Sequence, residues 1–117
     1  SFNIAIDESL YNNNYKEWID HNLIKAIVVK PSIYGSYLSF LELNKYAMRN
    51  NLQLILSSAL EMEIGNMAIV HLASYLNSKE HHGINIYSFY DNINMKNIYN
   101  NTDESINVDS LVGLGLW

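Results

Sequence analysis

The sequence predicts an α/β fold in which short parallel strands alternate with helices, and three observations indicate this class. Apolar runs of strand length recur at residues 3–6, 25–29, 53–56 and 83–87. Segments with helical apolar spacing lie between them. The runs end at Asp7, Lys30, Ser57 and Tyr87, which are roughly 25–30 residues apart, the length of one βα unit. Four such units make either half of a (β/α)8 barrel or a small open sheet, and the spacing alone favours neither.

The first half of the chain contains two predicted strands and one predicted helix. The run at 3–6 ends at Asp7, and the turn-forming cluster at 12–14 precedes a helix over 15–22. The β-branched run at 25–29 is typical of a strand that is buried on both faces. It must finish before Pro31, because proline cannot donate to a strand ladder.

The second half contains two longer helices, two strands and a weaker tail. Gly35 and Ser36 open a helix over 37–50, and a second helix covers 63–77. We expect residues 88–107 to be irregular with one short helix, and the Gly-rich tail after them to be packed. The residues expected to face the core are Leu38, Leu41, Ala47 and Met48 in the first helix and Ile64, Met67, Ala68, His71, Leu72 and Tyr75 in the second.

Composition excludes several classes of function. The 117 residues are 49% hydrophobic, which is enough for the core of one domain. The chain has no cysteine, so disulfides, zinc–thiolate sites and thiol nucleophiles are excluded. A net charge of −5 with scattered basic residues does not supply a nucleic-acid surface. No apolar run is long enough for a membrane helix and no signal peptide is visible, so we expect a cytoplasmic protein without nucleic-acid or membrane partners.

Polar side chains with chemical capability follow three successive predicted strands. Asp7 and Glu8 follow the first, Lys30 the second, and Ser57 with Ser58 the third. The carboxyl ends of parallel strands share one rim, where such folds place their sites. A carboxylate-held metal can take up enolate charge, and a lysine with a lowered pKa near a cation can act as a base. Each residue also has an interpretation without chemistry. Asp7 could cap the next helix, Lys30 could be a solvated residue at a strand end, and Ser57 with Ser58 could belong to an ordinary loop.

Three histidines receive structural interpretations. We expect His81 and His82, next to Gly83, to lie in an exposed loop without a partner for metal binding. His71 lies on an apolar helix face and is expected to be partly buried. Magnesium usually requires more than one carboxylate, and before Glu61 the sequence places no other cluster at a strand end besides Asp7 and Glu8. The metal site of this chain is therefore expected to be incomplete.

Four short motifs follow one another along the chain. They are Ile4-Ala-Ile-Asp-Glu-Ser-Leu10, Ala26-Ile-Val-Val-Lys-Pro-Ser32 with Gly35, Leu56-Ser-Ser-Ala-Leu-Glu61 with Ile64-Gly65 and His71-Leu-Ala73, and His82-Gly-Ile84. In this order they resemble the second half of an enolase-superfamily enzyme of the o-succinylbenzoate synthase type. The resemblance covers residues 3–86, and the tail at 112–116 is similar to the Gly-rich segment that closes such chains.

This resemblance implies a fold and a set of roles. Residues 1–117 would form strands five to eight and the tail of a TIM-barrel catalytic domain. Asp7 would bind Mg²⁺, or alternatively Mn²⁺, and Lys30 would be a catalytic lysine facing the substrate across from a second lysine. Ser57 and Ser58 would bind the succinyl carboxylate of the substrate. Glu8 and Glu61 would not contact the metal or the substrate themselves and would hold these residues in position.

The implied reaction belongs to menaquinone biosynthesis. Enzymes of this type are lyases that dehydrate 2-succinyl-6-hydroxy-2,4-cyclohexadiene-1-carboxylate to o-succinylbenzoate. The chain opens directly in a strand without Met, so we expect a portion of a longer protein, and the family's capping domain, Lys-x-Lys strand and first two metal carboxylates would precede Ser1. We therefore expect this chain alone to be inactive.

The sequence departs from the family pattern at several positions, and alternatives stay open. Met62 and Glu63 stand where small or hydroxyl residues are common, and Asn85 and Ile86 also differ. A dipeptide epimerase or a muconate cycloisomerase would share the scaffold and the metal chemistry. The other alternative is a non-catalytic half-barrel that self-associates through its open strand edges and apolar face.

Overall fold

The computed structural model describes residues 3–12, 15–19, 23–76, 80–84, 106–109 and 111–114. Its elements confirm the α/β class, and two short ones were not predicted: a 3-10 turn after the first strand and a single helical turn that begins at Pro31. In chain order the elements are β1 (Ile4–Ile6), the 3-10 turn (Glu8–Tyr11), α1 (Tyr15–Ile19), β2 (Ile24–Val29), α2 (Pro31–Tyr34), α3 (Tyr37–Arg49), β3 (Gln53–Leu56) and α4 (Glu63–Leu76).

The three strands form one parallel sheet in the order β1-β2-β3. At the predicted start of the fourth strand, Gly83 forms an isolated parallel bridge with Ser57. The Gly83 N–H donates to the Leu56 carbonyl at 2.8 Å, and the Ser58 N–H donates to the Gly83 carbonyl at 2.9 Å. Residues 85–87 of that strand lie outside the described residues. This sheet is compatible with half of a barrel, and the barrel itself stays a prediction.

The two faces of the sheet have different surroundings. Ile27 pairs with both Ile6 and Leu54, so these three side chains share one face, and all three are buried. Val29 and Leu56 continue this face and are completely buried in the core cluster that includes the helices. The opposite face carries the alternate residues, and here Ala5 is exposed while Val28 and Ile55 are only partly buried. The buried face towards the helices therefore carries Ile6, Ile27, Val29 and the leucines of β3.

Helix α3 begins at Ser36, whose side-chain oxygen accepts a hydrogen bond from the Ser39 N–H at 3.2 Å. The helix buries Phe40, Leu43 and Ala47, which are spaced for one face. The prediction that Leu38 and Met48 face the core was wrong, since they are 70% and 71% exposed. Apolar side chains lie on all sides of this helix, so the spacing of apolar residues alone did not determine which face is buried.

Helix α4 is rotated relative to its predicted orientation. It buries Met67 as predicted, together with Asn66, Ile69 and Val70, whereas the predicted core residues Ile64, Ala68 and Tyr75 are exposed. Asn66 is fully buried, and its side-chain amide donates to the Ile84 carbonyl at 3.0 Å. This hydrogen bond ties α4 to the segment in which the fourth strand is predicted to begin.

The last described residues pack as the sequence predicted for the tail. Ile106, Val108, Leu111 and Leu114 are partly buried against the core cluster. Of the region at 88–107 that was predicted to be irregular, residues 88–105 lie outside the described residues. Across the part of the chain that the structure describes, no helix combines the length and apolar character that crossing a membrane requires.

Candidate functional site

An ion pair joins the ends of the first two strands. The Lys30 ammonium donates to Asp7 Oδ1 at 3.0 Å and to Glu8 Oε1 at 2.9 Å. The pairing of Ile6 with Ile27 places Asp7 level with Val28, two residues before Lys30 and on the same face. The structure thus brings Asp7 and Lys30 together at one rim, as the strand-end comparison predicted, while their catalytic roles stay predictions.

The two carboxylates hold Lys30 in its charged form. The Lys30 side chain is 19% exposed. Its hydrogen bonds to Glu8 and then to Asp7 raise the pKa of the ammonium well above its ordinary value, although burial opposes this. The same contact with Lys30 lowers the pKa of Glu8. The raised pKa of Lys30 is the opposite of the lowered pKa that we expected for a base. Lys30 therefore acts as a cation in this arrangement.

The rim carries part of what a magnesium site needs. Asp7 and Glu8 offer carboxylate oxygens, which are the ligands that Mg²⁺ prefers. Among the described residues, no group of three or more His, Asp or Glu side chains is placed to hold a metal ion. The residues fit one side of such a site, and further ligands are required to complete it.

The two serines after β3 point to different partners. The pairing of Val29 with Leu56 places Ser57 beside Lys30. Within the described part of the chain, the Ser57 hydroxyl makes one long hydrogen bond of 3.4 Å, to the Ser58 carbonyl. The Ser58 hydroxyl donates to Glu61 and accepts from the Leu60 N–H at 3.1 Å. Ser57 is therefore placed for the rim, whereas Ser58 is engaged elsewhere.

The carboxylate of Glu61 is held by three donors, which we call the carboxylate clasp. Its oxygens accept hydrogen bonds from the Ser32 hydroxyl, the Ser58 hydroxyl and the Ala59 N–H, the last at 2.8 Å. Burial raises the pKa of Glu61, but the hydrogen bonds from Ser32 and Ser58 and the backbone outweigh burial and lower it. Ser-x-x-Glu spacing signals the contact between Ser58 and Glu61, but nothing in the sequence pattern indicated Ser32.

Two backbone features place Glu61 in the clasp. Leu60 adopts a left-handed conformation with φ of 65°, which is uncommon for a residue with a side chain. Gly65 lies directly under Glu61: a Cβ atom at this position would be 2.9 Å from the Glu61 Cβ. Glycine is therefore needed at residue 65 for Glu61 to lie in this position.

His82 was expected in an exposed loop, but the structure gives it a partly buried position. Its Nδ1 accepts a hydrogen bond from the Leu56 N–H at 3.1 Å, on the same edge of β3 that bonds to Gly83. Burial lowers the pKa of His82, and its Nε2 is buried without a partner among the described residues. His82 is thus a neutral structural residue, and His81 beside it is exposed as predicted.

A separate apolar cavity of about 560 Å³ lies between α3 and α4, and its lining residues do not include Asp7, Lys30 or Ser57. Phe40, Leu72 and Tyr75 line it, and Ser32 and Glu61 lie at its edge. His71, which is partly buried as expected, also lines the cavity. Much of the predicted apolar face of α4 therefore borders this cavity instead of the core.

Comparisons with known proteins agree with the resemblance seen in the sequence. The chain is 33% identical over 73 residues to an o-succinylbenzoate synthase from Pasteurella multocida (strain Pm70), a match that covers 60% of the chain. No protein-family model and no solved structure matches the chain. The match spans 22% of the length of this relative, so the likeness concerns part of that enzyme. The resemblance to o-succinylbenzoate synthase is confirmed at this level.

The lowered pKa of Glu61 makes its contribution to stability depend on pH. A carboxyl group whose pKa is lowered by folding stabilises the native state above its unfolded-state pKa, and this contribution is lost as pH falls through the folded-state pKa. E61Q cannot titrate. The difference in free energy of unfolding between wild type and E61Q should therefore be largest near neutral pH and shrink below about pH 4.

Urea unfolding of both proteins across this pH range measures the difference. E17Q, at an exposed position in α1, is the control and should show no comparable change. A difference between wild type and E61Q that stays constant with pH would contradict the charged, hydrogen-bonded state of Glu61.

Proposed function

We propose that the chain is the C-terminal part of a metal-dependent enolase-superfamily lyase of the o-succinylbenzoate synthase type. In this proposal residues 1–117 supply strands five to eight of a TIM barrel and its tail. The observation that carries the proposal is the Lys30 ammonium lying against Asp7 and Glu8 at the carboxyl rim of a parallel sheet. The similarity to the Pasteurella enzyme supports the choice of family.

In the proposed reaction, 2-succinyl-6-hydroxy-2,4-cyclohexadiene-1-carboxylate loses water to give o-succinylbenzoate. Asp7 would hold Mg²⁺, or Mn²⁺, with Glu8 beside it, and the bound metal would stabilise negative charge that develops on the substrate carboxylate. Lys30 lies on the sheet face opposite the helices, and its positive charge would stabilise the same developing negative charge. Both neighbouring carboxylates favour the protonated form of Lys30. Ser57, level with Lys30, would donate to the succinyl carboxylate.

The remaining parts of the proposed site would come from the family's capping domain and first barrel half. These would include the second lysine, which acts as the base opposite Lys30, and two further metal carboxylates. Related reactions, dipeptide epimerisation and muconate cycloisomerisation, use the same scaffold. The choice among them depends on the capping domain, and the match to a synthase favours o-succinylbenzoate formation.

We predict no dehydratase turnover from the chain alone with Mg²⁺ and measurable turnover when the chain is joined to the segment encoded upstream of it. In the joined protein, K30A should lower kcat by about 10²–10⁴-fold, the usual contribution of a positioned proton-transfer or charge-stabilising group. The assay follows the change in absorbance as the substrate is converted to o-succinylbenzoate.

The control for this experiment is K45A, at an exposed position in α3, which should leave turnover unchanged. Turnover by the chain alone would contradict the proposed division of the site. Full activity of K30A in the joined protein would show that turnover does not require Lys30.

A second candidate is a non-catalytic half-barrel that associates with a copy of itself. The specific observation is the incompletely covered sheet face, where Ala5 is exposed and Val28 and Ile55 are partly buried. Apolar sheet surface of this kind favours association, and β1 offers an edge for pairing. This state is also what we expect of the isolated chain if the enzyme proposal is right.

Sedimentation velocity at micromolar concentration tests the association. We expect the wild-type chain to form dimers or larger species, and the double variant V28T/I55T to weaken association roughly tenfold because it removes apolar contact from the open face. L38T removes a comparable side chain from an exposed position in α3 and should not weaken it. A well-folded wild-type monomer would contradict self-association.

A further inference from the structure

The imidazole of His82 takes the place of a backbone carbonyl at one edge of β3. In a regular parallel ladder the N–H groups along an edge donate to carbonyls of the neighbouring strand. The Gly83 N–H and the Ser58 N–H follow this pattern, since each donates to a backbone carbonyl across the edge, at 2.8 and 2.9 Å. The Leu56 N–H lies on the same edge but donates to His82 Nδ1 at 3.1 Å. One of the bonds between β3 and residues 80–84 therefore ends on a titratable group.

This hydrogen bond requires His82 to be neutral. A ring nitrogen accepts a hydrogen bond only when it carries no proton, so the single proton of the neutral ring lies on Nε2. Nε2 is buried and has no hydrogen-bond partner in the described part of the chain. Protonation of Nδ1 would set two N–H donors, those of the ring and of Leu56, against each other across 3.1 Å. A charged ring therefore favours a state in which the imidazole has left Leu56.

The groups around His82 act on its charge in opposite directions. Burial makes the largest contribution and lowers the pKa of His82, the Glu80 carboxylate raises it, and His81 lowers it. The Glu80 carboxylate also accepts a hydrogen bond from the Gln53 side chain of β3 at 3.0 Å. The contacts of β3 and α4 with residues 80–84 include Gln53 and Asn66, neither of which carries a charge. The balance favours the neutral ring in the closed arrangement.

We propose that the His82 imidazole on the Leu56 N–H is a pH-sensitive latch, here called the edge latch, which holds residues 80–84 on β3. The edge latch is closed while the ring is neutral and opens when the ring is protonated. Opening also withdraws the Gly83 carbonyl, which accepts from the Ser58 N–H at 2.9 Å. Since Ser57 and Ser58 follow β3, the edge latch links pH to the order of the carboxyl rim. It does not depend on the reaction proposed above.

The pH range of the opening follows from the two states of His82. In the open state the ring is exposed to water and has its ordinary pKa of about 6.5. In the closed state its pKa is lower, so the closed state is most stable above about pH 6.5 and loses this stability as pH falls. Because each opening takes up one proton, the opening equilibrium grows by up to about tenfold for each pH unit below this value.

Hydrogen exchange of backbone amides in the chain measures this opening. Protection factors, which correct for the intrinsic pH dependence of exchange, report on the amides of Leu56, Ser58 and Gly83. In wild type we expect their protection to fall about tenfold between about pH 7.5 and about pH 5.5. The Ser57 N–H donates to the Val29 carbonyl on the opposite edge of β3, so its protection should stay constant and provides the internal control.

H82N separates hydrogen bonding from titration. Asparagine can place its side-chain oxygen where His82 has Nδ1, so it can accept from Leu56 but cannot gain a proton. Protection in H82N should therefore not depend on pH, whereas H82A should give low protection over the whole range. H81N changes the exposed neighbouring histidine and is the matched control, which should lose protection on acidification as wild type does.

A second measurement on wild type does not require any variant to fold. Long-range ¹H–¹⁵N spectra of the imidazole should show the proton of the neutral His82 ring on Nε2. A proton on Nδ1 would overturn the edge latch, because Nδ1 could not then accept from Leu56. Protection that is unchanged by pH in wild type, or a loss that Ser57 or H82N shares equally, would also overturn it, since opening would not depend on the charge of His82.

Discussion

Parallel pairing of β1, β2 and β3 brings three strand ends to one rim, and the position of every candidate residue depends on this register. The pairing of Ile6 with Ile27 and of Val29 with Leu56 places Asp7, Lys30 and Ser57 on the same face of the sheet. A shift of one residue in any strand would turn its chemical side chain towards the helices. The buried side chains on the helix side, such as Ile27 and Leu56, keep the register because they cannot face water without loss of core packing.

Charge balance at the rim follows from this placement. Asp7 and Glu8 would repel each other across a short distance, and attraction of both to the Lys30 ammonium offsets this repulsion. The arrangement is stable as an ion pair, and it uses the groups that a metal site would require. In the proposed enzyme, a divalent cation with further ligands would draw both carboxylates from Lys30.

The sequence was sufficient for the strands and their ends, because short apolar runs followed by polar residues have few alternative structures. It was not sufficient for the buried faces of α3 and α4, where apolar residues such as Leu38 and Ile64 lie all round the helix and only the sheet selects a face. Contacts between distant segments were also missed. Asn66 bonding to Ile84 and Ser32 bonding to Glu61 have no signal in local periodicity, since each depends on loops meeting in space.

The central proposal is that this chain carries one side of a metal-dependent active site, in which Lys30 offsets part of the negative charge of Asp7 and Glu8. Electron paramagnetic resonance of Mn²⁺ added to the isolated chain tests this most directly, because bound and free Mn²⁺ give separable signals. The predicted result is binding in the millimolar range or weaker, which D7N weakens further, since one or two carboxylates without other ligands hold such an ion poorly. Micromolar binding that is unaffected by D7N would contradict the claim, because a tight site would then exist without Asp7.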